Sequence, residues 1–298
     1  MANSGKILVT GATGNVGSLL IPKLTNLGVD VRALVHSESK AQGLKDEGIE
    51  VVVGDLDKPD TLDAAFRGVN MVLLITPGNP NQVIQAENGI QAAKRTGSPF
   101  IVRLSAGAVR EMPGALPRVS GQHAEIDTML RESSLPYTIL KPHFFMQNTM
   151  MIAQTVASEG AVYMAMKDGK IGMIDVRDIV EVAVKVLTED GHESKTYTLT
   201  GPASISFHDV ATALSQALGK HVSYVDVPLE AAREGMISMG LTEWFGDAMT
   251  EYFQAFSTGY GDFTTPDVEV VTGNPARSYE TFASDFAQVF GGNSPQTA

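Results

Sequence analysis

Seven residues near the start of the chain, Gly11-Ala12-Thr13-Gly14-Asn15-Val16-Gly17, have the types and the spacing to hold a pyrophosphate. Gly11 permits a tight turn, Gly14 lets a phosphate approach the backbone, and Gly17 lets the following helix pack closely on the preceding strand. Unpaired N–H groups at the helix start would face the phosphate oxygens, and the helix dipole favours their negative charge. Gly-rich turns also close ordinary strand–helix connections, so the flanking segments decide. Lys6-Ile7-Leu8-Val9-Thr10 is an apolar, β-branched run of the kind buried on both faces of a parallel sheet. Val16, Leu19, Leu20, Leu24 and Leu27 then recur at helical spacing until Gly28, which can end a helix. Gly11, Thr13, Gly14, Asn15, Val16 and Gly17 are therefore expected around a dinucleotide.

The next strand, Val29–Val35, ends where the cofactor is chosen. An NAD enzyme places an acid on the ribose 2′-hydroxyl about twenty residues beyond the turn, whereas an NADP enzyme places a cation by the 2′-phosphate. Here stand His36, Ser37 and Lys40, with Glu38 as a dissenting charge, and NADP(H) is expected ahead of NAD(H). The other reading of these residues is the polar first turn of a surface helix. Asp55 and Leu56 follow the third strand, where Asp55 meets the adenine or caps a turn. Thr76-Pro77 closes the fourth strand, Ser105 the fifth and Lys141 the sixth. In a doubly wound sheet ligands lie outside these carboxyl ends.

The elements that must position these residues alternate: strands at 49–53, 72–75, 99–104 and 135–142, with helices near 62–66, 82–95 and 120–133 between them. That rhythm predicts a doubly wound parallel sheet with right-handed crossovers. It weakens after Asn148, leaving a helix near 177–187, a strand at 195–199, a helix at 207–218 that Ser206 can cap, and a closing helix at 279–290. The expected organisation is a Rossmann domain over 1–150 and a mainly substrate-binding subdomain over 151–290. Part of 170–200 returns to the sheet, and 291–298 forms a polar, flexible tail. A chain of 298 residues, 43% hydrophobic, can bury such a core. The net charge of −12, without a Lys/Arg run, argues against a nucleic-acid partner. With no cysteine there is no disulfide, thiolate nucleophile or thiolate zinc site. The six histidines show no paired helical spacing with carboxylates, so no metal is expected. The first strand begins close to Met1 and no apolar run approaches the ~20 residues of a spanning helix, so a cytoplasmic protein without membrane attachment is expected.

Val9–Gly17, Val31–Val35, Gly54-Asp55-Leu56, Leu135–Pro142 and Asp175-Val176-Arg177-Asp178-Ile179, in this order and spacing, resemble the NmrA-like branch of the atypical short-chain dehydrogenase/reductases over nearly the whole chain. The resemblance implies an extended Rossmann fold with a small C-terminal substrate-binding α/β subdomain, binding NADP(H) or NAD(H). It also implies either a reductase of quinones and extended aromatic compounds or a redox sensor that binds the dinucleotide without turnover. The family often has Arg where this chain has His36, which weakens the NADP assignment, and usually Arg where Lys141 stands.

The wider superfamily protonates a carbonyl with a Tyr and a Lys four residues apart on one helical face. Tyr137/Lys141 and Tyr163/Lys167 have that spacing, but the first pair lies in a strand and the second in a stretch too short for a capped helix. The helix that should carry the pair, through Ser120–Asp127, has neither residue. Relatives resembling quinone reductases place a His at the position of His123. This makes His123 the proton or hydrogen-bond donor, with Asp127 one turn later to hold its tautomer; an exposed helical His is the alternative. A quinone or polycyclic aromatic ketone suits a missing Tyr, because hydride addition gives a stabilised anion. Such a reductase would fit the tailoring of an aromatic natural product, alone or with an oxygenase partner, as a monomer or homodimer. Methionine and aromatic residues concentrate at 144–173 and 236–256. Most read equally as core, but Phe144, at the nicotinamide end, and Phe145, Met146, Met150 and Trp244, against a flat apolar substrate, are expected to line the site. The competing function is a dinucleotide-sensing regulator acting through a protein partner.

Overall fold

The computed structural model describes residues 5–107 and 114–291. Residues 108–113, between the fifth strand and the helix expected near 120–133, and all but the first residue of the expected tail lie outside the described residues. The strands are β1 (Ile7–Val9), β2 (Val31–Val35), β3 (Glu50–Val53), β4 (Met71–Leu74), β5 (Phe100–Leu104), β6 (Tyr137–Pro142), β7 (Ala161–Met164), β8 (Lys195–Leu199) and β9 (Ser223–Asp226). The helices are α1 (Gly17–Asn26), α2 (Glu38–Asp46), α3 (Asp63–Phe66), α4 (Gln82–Thr96), α5 (Arg118–Glu132), α6 (Ala153–Glu159), α7 (Val176–Thr188), α8 (Phe207–Leu218), α9 (Leu229–Ser238), α10 (Glu243–Ser257), α11 (Asp267–Thr272) and α12 (Tyr279–Asp285). Among the described residues no helix is long and apolar enough to cross a membrane.

The chain forms two compact units, one of 1–106, 121–141 and 179–197, the other of 107–120, 142–178 and 198–298. Residues 114–120 and 142–150, expected in the Rossmann domain, group with the second unit.

The seven-stranded sheet has the order β3-β2-β1-β4-β5-β6-β8. Every pairing from β3 to β6 is parallel. Strands covered by helices on both faces must be apolar throughout, and Ile7, Leu8 and Val9 are fully buried in consequence. Leu8, Val72 and Ile101 join Leu62, Phe66, Ile90 and Leu130 in one cluster, which packs α3, α4 and α5 on a single face of the sheet. The register sets Val9 beside Ala33 and Leu73. Just beyond it, the buried Thr10 hydroxyl donates to the Ile75 carbonyl at 2.8 Å and accepts from the Ile75 N–H at 2.7 Å. The ends of β1 and β4 are therefore locked in line beneath the glycine turn.

In the second unit most of the Met and aromatic residues are core. Met166, Met173, Phe207, Tyr252, Phe253, Phe256 and Phe282 share one cluster. Ser206 caps α8 through a reciprocal capping box with Asp209. β7 and β9 pair in parallel as a separate small sheet that the sequence reading lacks. The expected helix over 279–290 stops at Asp285 and continues in tighter i→i+3 turns through Val289, Phe290 and Gly291. The Asp175–Asp178 segment holds two buried carboxylates. Asp175 accepts from Gln147 Nε2 at 2.9 Å and from Arg177 Nη2 at 2.6 Å. Asp178 accepts from the Arg277 backbone at 2.7 Å and from its guanidinium.

His143 is buried there among Phe256 and Phe263. Its Nδ1 accepts the Phe144 N–H at 2.7 Å, so Nε2 carries the hydrogen and donates to the Gly261 carbonyl at 3.0 Å. Burial lowers its pKa from 6.5 to about 4. The unfolded chain then takes up this proton first, so the stability His143 supports is complete above pH 6.5 and is lost as the pH falls towards 4. The loss amounts to about 3 kcal/mol. His143→Gln keeps a donor at the same reach but cannot titrate, and its thermal midpoint should fall less steeply than that of the wild type across this window. Parallel curves from calorimetry would show that other groups govern the acid limb.

Candidate cofactor and active site

The glycine turn owes its shape to contacts that a side chain would break. Gly11 takes φ +62, a conformation that L side chains rarely adopt. The Gly14 N–H donates to the Gly11 carbonyl at 3.0 Å and closes the turn. A Cβ on Gly17 would overlap the Gly11 carbonyl oxygen and lie 2.8 Å from the Ala12 Cα. Helix α1 begins at that point with no side-chain cap and no acidic residue in its first turn. The Ser18 N–H turns back to the Gly14 carbonyl at 3.0 Å, and the N–H groups of Val16 and Gly17 just before it are left for an anion.

Above the turn lies a cleft of about 570 Å³ at the carboxyl ends of β1, β2, β3 and β4, within the first unit. Gly11, Thr13, Gly14, His36, Lys40, Asp55, Leu56 and Pro77 line it. Asn15, Val16, Gly17, Ser37 and Thr76 adjoin these residues in the chain but are not among its lining. Val16 is buried in the core. Ser37 precedes α2 without capping it, its hydroxyl bonding Ser39 Oγ at 3.0 Å. The Glu38 carboxylate, the one acid opposing a phosphate there, is held by Lys45 Nζ at 3.1 Å. Asp55 lines the cleft, and its Oδ1 accepts the Asp57 N–H at 3.0 Å in a turn, the second of the two parts the sequence offered. Asp57 and Gln85, which sequence reasoning missed, also line the cleft and bond to each other at 2.8 Å.

His123 lies on α5 and is 8% exposed, which replaces the exposed helical alternative. Its Nδ1 stands 3.0 Å from Arg103 Nη2 on β5, and its Nε2 stands 3.2 Å from the Gln82 amide on α4. The expected Asp127 partnership is corrected: the buried Asp127 instead takes the Ser105 hydroxyl on Oδ2 at 2.9 Å and lies 3.4 Å from Lys141 Nζ. Ser105 and Lys141, both expected at the cofactor, thus meet on this carboxylate. The His123 pKa is driven well below 6.5, first by burial and then by the Arg103 and Lys141 charges. His123 is therefore neutral at physiological pH and offers a hydrogen bond, not an ionisable proton. Arg103 and Gln82 carried no role in the sequence reading. An Arg inside an apolar strand was the available signal, because a buried guanidinium requires a carboxylate nearby.

Tyr137 and Lys141 lie on β6 and Tyr163 on β7, so neither Tyr/Lys pair shares a helical face. The expected substrate residues belong to the second unit. Met146 is 1% exposed in its core, where it cannot line an open pocket. Phe144 packs edge-on against Phe256 at 6.0 Å, and the half-buried Met150 packs on the same core. Phe145 bridges to Ile174, and Trp244 lies beneath the Arg118 guanidinium at 6.0 Å.

A parallel sheet whose first strand feeds a glycine turn and an uncapped helix, with a cleft across the strand ends, defines a Rossmann-type α/β protein. The chain belongs to the NmrA-like family, which it matches over residues 3–283. It is 39% identical over 286 residues to the NAD(P)H azoreductase of Xenophilus azovorans, covering 96% of this chain and 99% of that one. The NADPH-dependent quinone oxidoreductase of Escherichia coli, solved with NADPH, superposes with a TM-score of 0.84 at 28% identity, over 94% of this chain and 99% of that one. The triphenylmethane reductase of a Citrobacter species, solved with NADP(H), gives a TM-score of 0.84 at 27% identity over 95% and 99%.

The crowding around the turn is testable without any ligand. Gly17→Ala should destabilise the protein by about 1–3 kcal/mol. Gly14→Ala, whose Cβ would meet only the Gly11 oxygen at 3.3 Å, should lower the thermal midpoint much less. Equal midpoints for the two variants would refute the assignment of Gly17 as the tight contact.

Proposed function

We propose that this protein is an NADP(H)-dependent reductase of quinones and other electron-poor aromatic compounds, azo dyes included. The observation that carries this reading is the glycine-turn cleft with His36 and Lys40 at its β2 end, in a chain alike over nearly its whole length to an azoreductase. Bound NADPH would supply the hydride. Gly11, Thr13, Asn15, Val16 and Gly17 would receive the pyrophosphate on backbone N–H groups, while Gly14, whose own N–H closes the turn, leaves room for it to approach; His36, Ser37 and Lys40 would meet the 2′-phosphate, and Asp55 and Leu56 the adenine. A turn with no room for a Cβ on Gly17 and a cationic end free of an unpaired acid fit that molecule.

The acceptor explains the missing Tyr. Hydride added to a quinone leaves a delocalised oxyanion that water can protonate, so the protein has only to stabilise charge. A neutral imidazole can do so through a hydrogen bond from Nε2, whereas giving up that proton would leave an imidazolate. His123 is accordingly proposed as a hydrogen-bond donor to the developing anion.

Calorimetry should show NADPH binding more tightly than NADH, and Lys40→Met should weaken NADPH about tenfold while sparing NADH, the scale of one hydrogen bond to a charged group. Tighter NADH binding in the wild type would end the NADP assignment. With a panel of naphthoquinones and azo dyes followed at the cofactor absorbance, turnover is expected. His123→Phe should lower kcat about tenfold without changing the affinity for NADPH, below the ~10² to 10⁴ of a true general acid. No reduction of any acceptor would overturn the proposed activity.

A further inference from the structure

Arg103 is completely buried in a strand otherwise made of Phe100, Ile101, Val102 and Leu104. An unpaired guanidinium there would cost several kcal/mol, so its surroundings must meet both its charge and its donors. Nη1 donates to the Leu104 carbonyl at 2.6 Å and Nη2 reaches His123 Nδ1 at 3.0 Å. Nε and Asp127 Oδ1, the carboxylate oxygen not taken by Ser105, face each other at 3.8 Å as an ion pair in which neither makes a hydrogen bond. A guanidinium has donors only and keeps its proton. Arg103 stays a cation in this site, its pKa lowered by burial to about 10. His123 Nδ1 must therefore accept, and the hydrogen of the neutral ring sits on Nε2.

The Gln82 side gives an independent check. Its amide nitrogen lies 3.2 Å from Nε2 and 3.4 Å from the Thr76 carbonyl, to which it donates, while its Oε1, fully buried, has no partner. Two donors cannot bond each other. With Nε2 protonated, a half-turn of the amide exchanges the long bond to the Thr76 carbonyl for one from the ring N–H to Oε1, and Gln82 then covers that N–H until an acceptor displaces it.

We propose that Arg103 is a positioning residue for the reduction: it locks His123 as the uncharged Nε2–H tautomer and anchors the Asp127 carboxylate on which Ser105 and Lys141 converge. The catalytic half of this inference rests on the proposed reductase function, and the tautomer half does not. The charged groups around His123 are Arg103 on β5, Lys141 on β6 and, beyond Arg103, Asp127 on its own helix; α4 contributes the uncharged Gln82. The two cations nearest the ring oppose a second proton on it.

Nitrogen NMR of the full chain with ¹⁵N-labelled histidine tests the lock directly, with His123→Phe identifying the signal. Expected is a bare Nδ1 and a protonated Nε2, unchanged from about pH 5.5 to about pH 8. A protonated Nδ1, or titration near the ordinary imidazole value, overturns the proposal. Arg103→Met should mix the tautomers, lower kcat about tenfold and add an ionisation near that value to the kcat profile, with the KM for NADPH unchanged. Arg103→Lys, which keeps a cationic donor, should restore the tautomer in part. Should Arg103→Met fail to fold, the pair Arg103→Met with Asp127→Asn removes both buried charges and serves for the same measurements. A wild-type lock with kcat and its pH profile unmoved in these variants would overturn the role of Arg103 in the reaction. A lock in a protein that reduces no acceptor would sink the reductase function and leave the tautomer assignment standing.

Discussion

The contact on which the first unit depends is the seating of the first turn of α1 against the Gly11 carbonyl, at a distance that excludes even a methyl group on Gly17. It fixes the height of the helix over the sheet, and hence where the unpaired N–H groups end. Thr10 extends the same constraint sideways by holding β4 level with β1, which brings Ile75 and Pro77 to the mouth of the cleft. The cleft is thus a consequence of how closely backbone can pack on backbone. The side chains that line it add selectivity to a shape already made.

His123 lies in the same unit and is governed by electrostatics. Two cations, one fully buried, surround a ring that is itself desolvated, and a single buried carboxylate balances them. The arrangement sacrifices the ability of histidine to switch charge near neutrality and keeps its direction. That exchange suits a reaction whose product anion is already stabilised by its own conjugation, because such an anion needs an oriented dipole more than it needs a proton.

Periodicity made most of the sheet legible. β-branched runs ending at Gly, Thr or Ser marked the strands, and the glycine turn located the cleft before any coordinates. Local sequence could not show partnerships made across it. Helical spacing puts Asp127 on the same face as His123, one turn on, and so suggested that pair. It cannot show that Arg103 rises from β5 to bond the ring, nor that Ser105 and Lys141 claim the carboxylate. β7 and β9 escaped for a related reason: four residues each, they pair across a long stretch of sequence, and neither carries a pattern of its own. Met146 shows the limit of composition: a thioether after a strand end suits a binding surface and a core equally well, and the structure buries it.

The chain passes between its two units five times, and the sheet takes its last strand, β8, from residues that follow α7. During synthesis β6 must therefore wait with one edge unpaired while more than fifty residues are added, and an open edge is a template for pairing with another chain. The nascent Rossmann unit cannot close its sheet until its last segment, residues 179–197, has been made. Its exposure to chaperones and to aggregation is set by the translation time of the segment between β6 and β8.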